Sequence, residues 1–414
     1  MITAADQQIQ IKLKTTEEQY VIDQNVFSVS SNSSQVELQD LIKNLLEISE
    51  SDTEFSFRVG DEILQNTLRK YCESSNFSGE VALEIEYQEK RKAPEESVVI
   101  DLDDWIGGVV AIDPLCFAGL YNGQLAVISL DGSNKTYEIH SKPIKSIGYI
   151  KQYKENEKQK HLLVTSSLDQ NLSFVAVDDT ECTSLYTLKG HTETVNCCAV
   201  SPSTEQVASG SWDTHLKVWS TSLNEPCDSD PRSKRKKNAG SPQSALLRTP
   251  LLTLGGHTQA VTGVCWKDNS QLITSSCDMS VKIWDTQLMS CARTITVTSS
   301  LQSVAWSDRS QLIATGSSDK YVRLFDPRGS SGTIVHSTLQ GHDMWVSCVK
   351  WSPTSDVEMV SGSYDGRTLL WDIRSPRSHL AVISTHEDKV LCCDWLEGRV
   401  ISGGADSKLH ISNL

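Results

Sequence analysis

The chain has 414 residues, with 53 acidic against 38 basic side chains and a formal net charge of −15. Its length suits about two to four domains, and its acidity excludes a broad nucleic-acid-binding surface while leaving room for a local basic patch. No stretch approaches the ~18 apolar residues of a membrane span, the first residues carry no secretory leader, and the twelve cysteines, with no C-x-x-C among them, read as reduced intracellular core thiols.

Residues 1–88 predict a small α+β domain. Ile9 to Lys14 alternates apolar and polar residues, as a half-buried strand does. A second strand is expected from Tyr20 to Phe27. Ser34-Gln35-Val36-Glu37 reads as a capping box, in which a hydroxyl and a carboxylate satisfy the free amides at a helix start. Val36, Leu38, Leu41, Ile42, Leu45 and Leu46 follow at helical spacing. Phe55 to Val59 is a third strand, Gly60-Asp61 its turn, Leu64 to Tyr71 a short helix or turn, and Val81 to Tyr87 the last strand. The order ββαβ(α)β resembles the ubiquitin-like grasp. With 16 acidic and 6 basic side chains this region is the acidic end of the chain, so a basic partner is expected for it. Residues 89–97 form a polar linker.

From residue 98 to 414 one pattern repeats. Asp169, Asp213, Asp278, Asp319, Asp365 and Asp406 lie 44, 65, 41, 46 and 41 residues apart, and Asn122 holds the same slot 47 residues earlier. Small residues precede each, and six residues on stand Trp219, Trp284, Phe325 and Trp371. Gly190-His191, Gly256-His257, Gly341-His342 and a solitary His386 lead their units. Gly-His at one end of such a period and Trp-Asp at the other is the repeat of an all-β, seven-bladed WD-repeat propeller, which buries its core only by stacking blade on blade. The last unit ends before its outer strand, and Val98 to Leu102 is expected to supply it and close the ring. The excess spacing after Asp213 places a disordered basic insertion at about 221–248.

The polar residues of these units predict internal structure. His191, Asp213 and Trp219 would join a hydroxyl of Ser209 or Ser211. His257, Asp278 and Trp284 would join Ser275 or Ser276, and His342, Asp365 and Trp371 would join Ser361 or Ser363. A triplet that recurs blade after blade, with no nucleophile, reads as a buried turn Asp bonded to His and Ser. Units one, two, five and seven lack the full set. No catalytic motif is present, so no enzyme is expected. Arg232, Lys234, Arg235, Lys236 and Lys237 form a short basic cluster that reads as a nuclear import signal, with a solvated loop or an RNA phosphate contact as the other readings. Arg328 and Arg374, two residues after Asp326 and Asp372, resemble the motif by which propellers dock on a cullin adaptor. The residue before each turn Asp should line the mouth of the ring. Trp212 and Tyr364 there, and Trp345 nearby, are candidate partner-binding residues.

The arrangement as a whole resembles the WD-repeat subunit of the pescadillo–block-of-proliferation (PeBoW) complex. Phe55-Ser56-Phe57-Arg58-Val59, Leu83-Glu84-Ile85-Glu86-Tyr87, Asp104-Trp105 and Thr249-Pro250-Leu251-Leu252-Thr253-Leu254 carry the likeness. The resemblance implies a nuclear, nucleolar and nucleoplasmic assembly factor for the large (60S) ribosomal subunit and its rRNA. Its ring would dock on the block-of-proliferation propeller, beside pescadillo, on the pre-60S particle. Its ubiquitin-like domain would be gripped by the metal-dependent (MIDAS-type) domain of the AAA ATPase midasin. Glu80 then matches the glutamate that completes the shell of a Mg²⁺ held by that partner, the protein having no cofactor of its own. A notchless-like relative, with eight blades, and a cullin-type substrate receptor are the alternatives.

Overall fold

The computed structural model describes residues 8–15, 18–22, 26–48, 53–60, 62–64, 67–75, 81–90, 98–129, 132–155, 158–178, 181–223, 245–329 and 335–414. In the N-terminal domain these comprise β1 (Gln8–Lys14), β2 (Val26–Ser30), α1 (Gln35–Leu45), β3 (Phe55–Val59), β4 (Glu62–Ile63), α2 (Leu68–Ser75) and β5 (Leu83–Glu89). The sheet order is β2-β1-β5-β3-β4, with β1 and β5 parallel at its centre. Alternation turns Ile11, Leu13, Phe57, Ile85 and Tyr87 inward, where Leu38 and Ile42 of α1 cover them. Ser34 N–H donates to Glu37 Oε2 at 3.1 Å, as the capping box requires. The second strand begins at Val26, not Tyr20. Tyr20 ends a 3₁₀ turn (Glu18–Tyr20), its ring edge-on to Phe55 at 5.1 Å and its carbonyl accepting from Tyr87 Oη at 2.5 Å. Those contacts pin it across the end of the sheet and leave it out of the ladder.

Among the described residues the rest is a ring of seven sheets, antiparallel apart from one strand added to blade 2. Blade 1 begins at Ile106, and the innermost strands of blades 2 to 7 begin at Ile144, Val195, Val261, Leu301, Val346 and Val390. Each blade packs its inner strands on the next, so the apolar clusters run from blade to blade and the core is continuous around the ring. Among the described residues no helix is long and apolar enough to cross a membrane. Blade 7 takes its outer strand, β6 (Val98–Asp101), from the start of the ring: Ile411 pairs with Val98, His410 with Val99, Leu409 with Ile100 and Lys408 with Asp101.

Blade 2 departs from the pattern twice. Its first two strands, Ile144–Glu155 and Lys158–Ser167, form a hairpin longer than in any other blade. It also gains a fifth strand, Leu246–Arg248, which lies parallel to Tyr186–Leu188. Of the insertion expected at about 221–248, residues 221–223 and 245–248 are instead part of the ordered ring. Arg248 explains why: its buried guanidinium stacks 4.2 Å from the Tyr186 ring and donates to the carbonyls of Ser220 and Ser222, each at 2.6 Å. One cation thus ties together the two sides of the insertion. Residues 224–244, with the basic cluster, lie outside the described residues.

Closure by β6 makes a prediction. Ile100 is 6% exposed and Val98 47% exposed on the same strand. Ile100→Asp should destabilise the ring by at least the ~1.5–3 kcal/mol that burying a large aliphatic side chain contributes, and Val98→Asp much less. Calorimetric unfolding of the full chain checks both.

Candidate functional site

The repeated turn aspartates organise the ring from inside. In blade 3, Asp213 Oδ2 accepts from His191 Nδ1 at 2.7 Å and from the Thr192 N–H at 3.1 Å, and Oδ1 accepts from the His215 N–H at 2.9 Å. A carboxylate only accepts, so the His191 proton sits on Nδ1. Nε2 then accepts from Ser209 Oγ at 2.8 Å, and that oxygen accepts the Trp219 indole N–H at 2.9 Å. Every polar atom of the relay is satisfied, as burial demands.

Blade 6 repeats the relay with His342, Asp365, Ser361 and Trp371. Blade 4 repeats it with His257, Asp278 and Trp284, but the hydroxyl belongs to Thr274, not Ser275 or Ser276. The relay hydroxyl always stands four residues before the Asp. Ser275, three before, faces the other side of the strand and meets Thr262 Oγ1 at 3.2 Å. Ser211, Ser276 and Ser363, two before, cap the turn by accepting the Asp N–H.

Two relays without Trp complete the picture. His386, Asp406 and Ser402 form one in blade 7, and His140, Asp169 and Thr165 form one in blade 2. His140 escaped the sequence pattern because it lies 29 residues before its Asp, against 20 to 23 elsewhere; the long hairpin intervenes. Blade 5 has no His. There Arg323 donates to both carboxylate oxygens of Asp319 and Ser299 Oγ adds a bond at 2.8 Å.

The connectivity hydroxyl–imidazole–carboxylate is that of a hydrolytic triad. Its chemistry is blocked by burial. Ser209, Thr274, Ser361 and Thr165 are fully enclosed, and the first three also accept an indole N–H. No substrate atom reaches them.

The outer chemistry lies at the mouth of the central channel, a space of about 750 Å³ that reaches Trp212, Tyr364 and Lys145. In every blade the N–H of the residue before the turn Asp or Asn bonds the carbonyl of a residue just ahead of the innermost strand; Tyr121 to Trp105, Trp212 to Thr194 and Tyr364 to Trp345 are three of the seven. These bonds fix a ring of side chains around the mouth. Trp345 stacks on Tyr364 at 5.7 Å, and Trp105 meets Tyr121 at 5.4 Å. Lys389 of blade 7 lies 5.6 Å from the Tyr364 ring, and Lys145 of blade 2 donates to Tyr121 Oη at 2.7 Å. Trp212, Trp345 and Trp105 are 60%, 48% and 44% exposed. Trp105 was missed as a face residue, although it precedes its strand as Trp345 does.

Glu80, Arg232, Lys234, Arg235, Lys236 and Lys237 lie outside the described residues. Val81, beside Glu80, is 72% exposed. Of the other nearby carboxylates, Glu73 pairs with Arg69 at 2.9 Å and Glu62 pairs with Arg377.

An acidic grasp domain on a closed ring, with His–Asp relays inside and three exposed indoles at one mouth, defines a binding scaffold of the WD-repeat class. Residues 9–72 match the NLE (NUC135) domain family, and 182–220, 248–285, 289–326 and 333–372 match the WD domain, G-beta repeat. The chain is 33% identical to a ribosome biogenesis protein WDR12 homolog of Nematostella vectensis, over 97% of this chain and 98% of that one. It is 35% identical to the Aedes aegypti homolog, over 98% and 95%, and 36% identical to that of Culex quinquefasciatus, over 98% and 96%. The chain belongs to the WDR12 family of ribosome biogenesis proteins.

The relays set two expectations. Asp213→Ala leaves the His191 N–H and two backbone amides without their acceptor and should cost about 1–3 kcal/mol, more than Asp213→Asn, which keeps one oxygen. The pH dependence has a defined sign. Burial holds His191, His257 and His386 below the ordinary imidazole value despite their Asp partners, and burial with the neighbouring His386 pushes His410 down to about 4. The unfolded chain takes up these protons first, so stability is complete above about pH 6.5 and falls as pH drops toward 4. Burial would raise the Asp213 carboxyl, but the His191 bond and backbone amides outweigh it and hold it at about 2. A second loss follows as pH falls below the ordinary aspartate value toward 2. Thermal melts between pH 8 and 3 check the two-stage decline.

Proposed function

We propose that this protein is a non-enzymatic nucleolar assembly factor of the large ribosomal subunit, in which the ring holds position and the ubiquitin-like domain serves as a handle. Family membership over almost the whole chain supports the setting. The observation that carries the division of labour is the contrast between the two parts: a ring whose exposed indoles are gathered at one mouth, and a small, strongly acidic domain attached through a short polar stretch.

The mouth suits a protein partner. Trp212 and Trp345 offer large rigid surfaces, Tyr364 and Lys389 add a polar tip and a cation, and such clusters dominate binding energies. The block-of-proliferation propeller, with pescadillo beside it, is the partner we assign to this face. On the handle, Glu80 would give one carboxylate oxygen to a Mg²⁺ held by midasin, a hard ligand for a hard ion with an open octahedral position. Neither Glu62 nor Glu73 competes well for the role, because each already has an arginine partner. The basic cluster at 232–237 remains assigned to nuclear import.

A substrate-receptor role is less favoured by the site, because Arg374 already bonds Asp372, Glu86 and Gln88. The notchless-like alternative requires an eighth blade, and the described residues of the ring form seven sheets.

Glu80→Ala and Glu80→Asp should leave the fold intact and abolish Mg²⁺-dependent capture of the chain by midasin's metal-binding domain. Capture that persists in EDTA overturns the handle. Independently, Trp345→Ala and Trp212→Ala should each weaken binding to the partner propeller by roughly 2 kcal/mol or more, measured by titration calorimetry.

A further inference from the structure

We infer that the chain's own ubiquitin-like domain is docked on blade 6 by a two-arginine latch, which holds it in one orientation and covers one face of its sheet. The latch stands on contacts within this chain; only its meaning for a pulled handle rests on the reading above.

Ser56 and Arg58 on β3, and Glu86 and Gln88 on β5, alternate with the domain's core residues and point away from it. In a free domain they would meet water, yet all four are half-buried. The loop that follows Trp371-Asp372 in blade 6 covers them. Arg374 donates from Nη1 to Glu86 Oε1 and from Nη2 to Gln88 Oε1, both at 3.2 Å. It is aimed by its own blade: Asp372 Oδ1 and Oδ2 accept from Nε at 3.0 Å and Nη2 at 2.7 Å. Arg58 pairs with Glu86 from the domain's side, and Arg377 reaches Glu62. Ser375 and Leu380 line a small gap between the two parts together with Ser56, Arg58, Ile63, Glu86 and Gln88.

Blade 5 supplies an internal control. Arg328 stands at the same place after its strand and makes the same fork to Asp326, at 2.9 and 2.8 Å. Its side chain is 63% exposed, against 28% for Arg374. The difference is the domain that sits on Arg374. The contact is polar, of the kind that opens and closes between domains more readily than an apolar interface does, and its exposed ion pair Arg377–Glu62 is open to screening by salt. Any basic partner seeking the β3–β5 face must first displace these two arginines.

The test uses the full chain and small-angle X-ray scattering. Residues 91–97 can span at most about 25 Å when extended, so release should raise the maximum dimension by up to that length. The wild type at low salt should scatter as one compact body. Arg374→Ala with Arg377→Ala should shift to the larger dimension, as should wild type in 1 M salt, while Arg328→Ala should not. Pairing Arg377→Glu with Glu62→Arg should return the compact form. A wild type already as extended as the double variant, or a double variant as compact as wild type, overturns the latch. Neither outcome depends on Mg²⁺ or on midasin, so the latch and the handle fail separately.

Discussion

A ring made of repeats must end where it began, and four residues, Val98–Asp101, meet that constraint here. Without them blade 7 would have three strands and a bare edge. The closing segment is also the one to which the ubiquitin-like domain is attached. A tension applied to that domain therefore passes into the ring through the backbone pairing of β6 with Lys408–Ile411, and through the burial of Ile100 and Leu102 beneath it. The same strand both completes the ring and receives the load in the proposed role.

The relays show why histidine and aspartate can abound in a protein without making it a catalyst. Each imidazole has a carboxylate on one nitrogen and a hydroxyl on the other, and each hydroxyl is enclosed. The groups fix the conformation of the turns that set the innermost strands, and the carbonyl–amide bonds beside those turns place Trp212, Trp345 and Tyr364 at the mouth. Interior chemistry thus positions the exposed aromatic surface. Where blade 5 lacks the histidine, Arg323 keeps Asp319 ionised by another route: burial pushes the carboxyl up, but the guanidinium and two serines hold it at about 2. The turn, more than the histidine, is the unit that is kept.

Local pattern made much of this legible in the sequence. The turn aspartates, the indoles six residues on and the closing strand are read from short windows, and so are the strands and the helix start of the N-terminal domain. What escaped was set by distance. His140 was displaced from its expected spacing by the lengthened hairpin of blade 2. Thr274 was passed over because serines stood next to it, although a threonine hydroxyl serves equally. Leu246–Arg248 pairs with a strand of the preceding blade across a long insertion, and three residues carry no periodicity of their own. Arg374 was read as part of an adaptor-docking motif because its partners, Glu86 and Gln88, lie nearly 290 residues away.

Seven near-equivalent blades give a symmetrical frame, so whatever is particular to this protein must lie in the departures from symmetry. Blade 6 carries one of them at one end and, at the other, a Trp–Tyr pair of the kind blade 1 also has. At the mouth it presents the stacked Trp345–Tyr364 pair with Lys389 beside it; at the other end of the same strands it presents Arg374 and Arg377 to the ubiquitin-like domain. The tyrosine and the arginine-bearing loop flank one strand, Arg367–Asp372, whose interior is occupied by the fully buried Trp371. A close-packed strand resists bending and transmits displacement along its length. In the proposed role, occupation of the mouth and attachment of the handle would therefore meet on one blade.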